Sequence, residues 1–232
     1  MAQQTAYDVA GHYDTAYYDD LAERYRTRNR FARRRIANVM SLLPPLAGRT
    51  MIDIGCGMGT FTIEAAARGG RALGVDFAPE ALRAAVAVAQ AESAPGAHFV
   101  RADAVRLPVR DSSADVVVAA DLTEHLDDAT LRDVLSDAAR VLRAGGTLVL
   151  YTPESTHIFE RLRAAGALTQ DPSHIGVRSA SELAAAVRAA GLEVARTRWL
   201  PSHLPGWNLL ERALGRWVPL LRRRIGIVAR KP

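Results

Sequence analysis

The segment Ile52-Asp53-Ile54-Gly55-Cys56-Gly57-Met58-Gly59 constrains what this chain can fold into more than any other. A short apolar run ends in three alternating glycines, and TFTIEAAARG (60–69) then reads as a helix. Glycines at a strand-to-helix turn permit left-handed backbone and let a ligand approach the main chain closely. The same rhythm repeats downstream. RALGVDF (71–77) reads as a strand, PEALRAAVAVAQAE (79–92) as a helix with proline in its first turn, and HFVRAD (98–103) as a third strand. ADVVVAADL (114–122) is an unbroken Val/Ala run suited to a strand covered on both faces. Leu131 to Leu142 reads as a helix ended by Gly145-Gly146, and TLVLYT (147–152) as a fifth strand. Such alternation predicts an α/β fold, a parallel sheet with helices on both faces. Ligands of open sheets of this kind bind at the carboxyl ends of the strands.

The flanks read differently. Residues 1–45 form a helical cap in which Phe31, Ala32, Ile36, Val39, Met40 and Leu43 recur at helical spacing, with Pro44-Pro45 as the stop. Residues 46–232 form the ligand-binding domain. Within it SASELAAAVRAAG (179–191) carries a Ser179 cap, Glu182 at the capping-box position and Gly191 as stop. LEVARTRWL (192–200) and RIGIVARK (224–231) read as the last two strands. Between them, residues 200–224 place Trp207, Leu210, Leu214, Trp217 and Leu221 at helical spacing among arginines. That segment is expected to be a lid over the pocket, a homodimer contact, or an interfacial helix making peripheral contact with anionic lipid.

Composition narrows the setting. A single cysteine, Cys56, excludes a disulfide framework and a Cys-based zinc cluster. No apolar run approaches the roughly 18 residues of a membrane span, and the first residues lack the basic and apolar regions of a secretory signal. A cytoplasmic protein is expected. The net charge of +5 arises unevenly, for residues 198–232 hold eight cations and one acid, Glu211. That tail is therefore +7 and the remainder −2. Nucleic-acid binding rests on this tail alone.

The ligand follows from the loop and its acids. The spacing is G-x-G-x-G, and Thr60 stands where a dinucleotide fingerprint has its third glycine. Phe61-Thr62 is not the Lys-Ser/Thr pair of a phosphate-binding P-loop. Asp76 ends the second strand, where an acid can hold both ribose hydroxyls. Asp103 ends the third, where it can accept from an adenine amino group. Asp53 can support a charged amine of the ligand or brace the loop. Three carboxylates suit a cationic ligand without phosphate, which favours S-adenosylmethionine over NAD.

These segments carry a resemblance. IDIGCGMG, GVD, RADAVRLPV, ADVVVAADLTEHLDD and RVLRAGGTLVLYTPE resemble the successive motifs of class I S-adenosylmethionine-dependent methyltransferases, over about residues 48–200. The likeness is to the small-molecule branch that includes the ubiquinone- and menaquinone-biosynthesis enzymes. It implies a Rossmann-like, seven-stranded, mostly parallel sheet whose last strand lies antiparallel between two parallel ones. It also implies cofactor contacts at Gly55, Gly57, Gly59, Asp76, Phe77, Asp103, Ala104, Asp121 and Leu122, with S-adenosylhomocysteine as product. The acceptor would lie over the carboxyl edge beneath the N-terminal cap. Expected activity is methyl transfer to O, N or C of a small molecule by a monomer or homodimer, without a nucleic-acid partner. A non-catalytic binding protein of the same fold and a nucleic-acid methyltransferase are the alternatives.

Candidate catalytic groups are His125 and His174, either of which can serve a hydroxyl acceptor as base. Beside that stand plainer roles, ordering a loop for His125 and packing for His174. Tyr17, Tyr18, His157 and Trp207 are candidate substrate contacts; Tyr13, Tyr17 and Tyr18 can close over a sulfonium or simply pack the cap. The six histidines match no linear metal motif, so no metal is expected. The Asn/Asp-Pro-Pro-Tyr/Phe pattern of amino-methyltransferases is absent.

Overall fold

The computed structural model describes residues 15–169, 171–202, 204 and 206–232; Tyr13 of the expected cap lies outside them. Seven strands form one sheet: β1 (Thr50–Ile54), β2 (Arg71–Asp76), β3 (Ala97–Arg101), β4 (Ala114–Ala120), β5 (Leu142–Pro153), β6 (Glu193–Leu200) and β7 (Arg224–Arg230). Their order is β3-β2-β1-β4-β5-β7-β6. β1 through β5 pair in parallel, and β7 runs antiparallel between β5 and β6. This is the expected Rossmann-like arrangement, with its reversal at β1/β4, where the strand order changes direction.

The period of two along the strands assigns each side of the sheet. Ile52, Ile54, Val117, Ala119, Leu148 and Leu150 pack with α5 (Asp128–Val141) and α7 (Ala180–Ala189). The alternate residues Met51, Val116, Val118 and Val149 pack with Val39 of α2 (Arg30–Met40), Leu42, and Phe61 of α3 (Thr60–Ala66). All these strand residues are at most 2% exposed, which is why the sequence of β4 reads as continuous apolar rather than alternating.

The N-terminal segment is two helices rather than one continuous lead-in. α1 (Thr15–Arg26) ends before Arg28, whose φ is +47, and Asn29 caps α2 by accepting from the Ala32 amide. α1 packs on α4 (Pro79–Ala91) through a cluster containing Ala22, Tyr25, Val88 and Ala89. The Tyr25 hydroxyl donates to Glu64 on α3, which also takes Arg28 and Arg68. This polar junction fixes α1 beside the glycine loop.

Four further readings change. Gly145-Gly146 lies inside β5, beside the register shift between Ala114 and Val116, rather than ending a helix. That preceding helix begins earlier than Leu131, at Asp128, capped by Asp127. A helix not anticipated, α6 (Ile158–Ala164), follows β5. The apolar stripe of residues 200–224 is not one helix: α8 (Trp207–Leu214) stops at Gly215, and Pro219–Leu221 forms a separate 3-10 turn.

Candidate functional site

The glycine loop is built by the register of the first two strands. The Gly55 and Cys56 amides both donate to the Val75 carbonyl, and the Gly57 amide donates to Asp76 Oδ2 at 2.8 Å. Gly55, Gly57 and Gly59 all have positive φ. A Cβ at Gly59 would stand 2.7 Å from the Phe99 ring, whereas one at Gly57 would meet nothing nearer than Tyr18 at 3.9 Å. Gly59 is thus needed for packing, and Gly57 leaves open space toward the cap.

That space is a cavity of about 290 Å³ at the carboxyl ends of β1, β2 and β4. Gly55, Gly57, Asp76, Phe77, Ala104, Asp121 and Leu122 line it, with Tyr17 and Tyr18 from α1. His125 and His174 line its opposite side, together with Glu124 and Arg224. The structure therefore brings most of the expected cofactor and catalytic residues to one place.

Five expected residues stand elsewhere, the first of them Gly59, which packs against Phe99 and does not line the cavity. Asp53 is buried beneath the loop, and its Oδ2 accepts from the Thr62 amide and hydroxyl at 3.1 and 2.8 Å. Burial pushes its carboxyl up to about 6 against the lowering effect of those bonds. Those bonds tie β1 to the first turn of α3. Asp103 is exposed outside the cavity, accepting from the Val105 amide. His157 is buried, accepts from the Phe159 amide as the cap of α6, and does not line the cavity. Trp207 stacks on Phe159 with ring centroids 5.5 Å apart, also away from it.

Asp76 lines the cavity at the end of β2. Each carboxylate oxygen takes one backbone amide, from Gly57 and from Ala78, and keeps lone-pair capacity facing the cavity. Burial raises its pKa while those amides pull it down.

The opposite side joins Asp121, an expected contact, to Arg35, Glu124 and Arg224, which linear reading did not single out. Asp121 has φ +55, a conformation uncommon for a residue with a Cβ. Its Oδ2 accepts from Arg35 Nε and its Oδ1 from Arg224 Nη1, both at 2.6 Å. Burial alone would raise its carboxyl, yet Arg224 and Arg35 hold it below the usual range. Glu124 is 1% exposed, accepts from the Thr152 hydroxyl, and is raised by burial and then by Asp121. No local spacing pairs Asp121 with Arg35 and Arg224, which lie 86 and 103 residues away.

His125 and His174 meet edge to face at 4.9 Å. His125 Nδ1 lies 3.0 Å from the Ser173 carbonyl; a carbonyl only accepts, so Nδ1 carries the proton. In the neutral ring Nε2 is then the basic atom. His174 is pushed down to about 4 by burial and then by His125. Glu124, His125 and His174 also place three ligand-type atoms within 4.8 Å of one another. This group is assembled from two segments and was invisible to linear metal motifs.

The donor set suits S-adenosylmethionine. Gly57 provides a cradle a Cβ would fill, Asp76 offers acceptors for ribose hydroxyls, and no Lys-Ser/Thr pair is present to grip a phosphate. Comparison with known proteins agrees. Residues 51–146 match a methyltransferase domain family. The 27-O-demethylrifamycin SV methyltransferase of Amycolatopsis mediterranei is 33% identical over 76% of this chain and 65% of its own. The ubiquinone biosynthesis O-methyltransferase of a Methylobacterium species is 33% identical over 68% of this chain and 66% of its own. Among solved structures, a methyltransferase from Aquifex aeolicus covers 93% of this chain and is itself 97% covered, with TM-score 0.68 at 15% identity, which shows the shared fold. The matched domain and relatives support a class I S-adenosylmethionine-dependent methyltransferase, whose methyl donor is S-adenosylmethionine. It spans between 38% and 66% of the length of the curated relatives it matches.

The tail's charge is divided: Arg198, Arg212, Arg216 and Arg230 are exposed, while Arg222 to Arg224 are half-buried. Arg222 stacks over Trp199 and donates to the Gly215 and Arg216 carbonyls, and Arg224 joins the site. The apolar face of residues 207–218 is turned outward, with Leu209 66% and Trp217 70% exposed. Among the described residues no helix is long and apolar enough to cross a membrane.

Proposed function

We propose that the protein transfers the methyl group of S-adenosylmethionine to a small-molecule acceptor. The single observation that carries this is the cavity itself. One side is a left-handed glycine loop braced by Asp76, and the other presents Asp121, Glu124, His125 and His174. The sulfonium supplies an electrophilic methyl group, so the protein's main task is to hold a nucleophile in line with it. Positioning of this kind can remove roughly 7–11 kcal/mol from a barrier.

Each residue has a part in that task. Asp76 holds the ribose hydroxyls, Gly55 and Gly57 admit the ligand's amino-acid arm against the backbone, and Phe77 and Ala104 flank the adenine. Asp121, pinned by Arg35 and Arg224, fixes the loop that carries Leu122 and His125. Tyr17 and Tyr18 cover the cavity from α1. For a hydroxyl acceptor His125 is the better base, because Ser173 leaves its Nε2 unprotonated. His174, depressed to about 4, is a weak one and helps orient His125 and the acceptor.

A small acceptor is favoured over nucleic acid by the size of the cavity, about 290 Å³, and by the engagement of two tail arginines within the protein. Arg222 and Arg224 are engaged by protein groups instead of forming a phosphate-facing strip. The test is incubation with methyl-labelled S-adenosylmethionine and a panel of phenols, amines and sugars. Label transfer that falls at least tenfold in His125→Ala, with cofactor affinity intact, is expected for a hydroxyl acceptor. Cofactor binding without transfer to any acceptor class would favour a binding protein.

A further inference from the structure

Beside the main cavity lies a second cleft of about 460 Å³, and the two share Asp171, His174 and Arg224. Arg163, Arg223 and Arg224 converge on this cleft. Two of the three are compensated: Arg163 pairs with Glu160, and Arg224 with Asp121. Arg223 is not. Among the described residues it makes no ion pair, its Nη1 is buried without a hydrogen-bond partner, and its guanidinium lies over the Phe159 ring at 5.3 Å. A half-buried guanidinium with one nitrogen shut off from water and unbonded is costly, which makes it a prepared seat for an anion.

The surroundings point the same way. His157 Nε2 and Trp207 Nε1 belong to rings packed against Phe159, and both atoms are buried without partners. His157 Nδ1 accepts from the Phe159 amide, so its Nε2 is a donor, as is the indole nitrogen. The nearby acids are largely engaged: Glu160 by Arg163, Asp171 by Ser173, and one oxygen of Glu211 by the Ser202 amide. The Glu211 carboxylate also faces the Trp207 indole and is attracted by Arg223, so it offsets part of the positive field but leaves Arg223 Nη1 without a hydrogen bond. Arg163 and Arg224 depress the pKa of His174, and Arg223 and Arg163 that of His157, each after burial and, for His174, after His125.

We infer that this cleft is an oxyanion subsite, in which Arg223, flanked by Arg163, binds a carboxylate or phosphate group of the acceptor while the acceptor's nucleophile reaches into the main cavity past His174. The reach of the acceptor's nucleophile into the main cavity rests on the methyltransferase reading. Guanidinium is the side chain suited to this, since its planar fork matches both oxyanions bidentately.

The test uses the full chain and two probes, inorganic phosphate and benzoate, each titrated calorimetrically with and without S-adenosylhomocysteine. One probe at least should bind, and Arg223→Gln should weaken it by about tenfold, equivalent to about 1.4 kcal/mol. Arg163→Gln should weaken it by a smaller factor, and Arg188→Gln, on the exposed face of α7, should leave it unchanged. Thermal stability of Arg223→Gln should equal or exceed wild type, because an uncompensated charge is removed. Arg223→Lys keeps the charge without the fork, folds as wild type, and should bind at intermediate strength. Which probe binds separates a carboxylate from a phosphate acceptor. Failure of both probes to bind, or equal binding by Arg223→Gln and Arg188→Gln, would overturn the subsite. Loss of S-adenosylhomocysteine binding in the wild-type chain would instead overturn the reading of the main cavity.

Discussion

Two glycines in one loop should fail in different ways when given a methyl group. Gly57 and Gly59 both sit at positive φ, +54 and +80, so alanine at either site incurs roughly 1–2 kcal/mol of backbone strain. At Gly59 the new Cβ also stands 2.7 Å from the Phe99 ring and 3.2 Å from Ala85. Overpacking of that kind adds roughly 1–3 kcal/mol, since Phe99 is wedged against β2 and cannot retreat freely. Gly59→Ala is therefore expected to lose about 2–5 kcal/mol of stability in total. At Gly57 the Cβ meets only Tyr18 at 3.9 Å, so the fold loses little beyond the strain, but the methyl protrudes into the cavity. Urea unfolding measures the first effect and titration with S-adenosylhomocysteine the second. Gly59→Ala should show the larger drop in midpoint. Gly57→Ala should lose only the roughly 1–2 kcal/mol of strain yet bind the cofactor product at least tenfold more weakly. Equal stabilities, or a Gly57→Ala protein with undiminished affinity, would refute the reasoning.

Two further perturbations follow from the buried charges. His157 is lowered to about 4 by burial and then by Arg223 and Arg163, against about 6.5 unfolded. The unfolded state binds the extra proton in that window, so stability is complete above pH 6.5 and falls toward pH 4, by up to about 3 kcal/mol. His157→Asn can still cap α6 without titrating, and the difference between its urea midpoint and that of wild type should shrink or reverse as pH falls; a pH-independent difference would contradict this. Asp121→Asn leaves Arg35 without its carboxylate partner and Arg224 with only Glu124 at 3.9 Å, and should cost about 3 kcal/mol in urea unfolding, the low end for a broken buried pair. A loss under 1 kcal/mol would mean solvent screens the pair.

Local chemistry decided what could be read from the chain alone. The sheet was legible because β1, β2, β4 and β5 are bounded by glycine turns or helix starts, and because their apolar continuity reflects burial on both faces. Asp76 was legible because a strand end in this fold projects toward the ligand. Asp103 occupies the corresponding position on β3, yet its carboxylate turns back to the Val105 amide, a local hydrogen bond that strand position does not reveal. Arg35, Arg224 and Glu124 carried no local signal, since the contacts that make them part of the site are long-range. The stripe from Trp207 to Leu221 kept helical spacing past Gly215, but Pro219 lacks the amide to continue the helix.

The most direct test of the central claim is calorimetric titration of the wild-type chain and Asp76→Ala with S-adenosylhomocysteine. The account predicts one site per chain in the wild type, and at least tenfold weaker binding once Asp76 no longer accepts from the ribose or holds the Gly57 amide. Absence of binding to wild type, or equal affinity in Asp76→Ala, would contradict it.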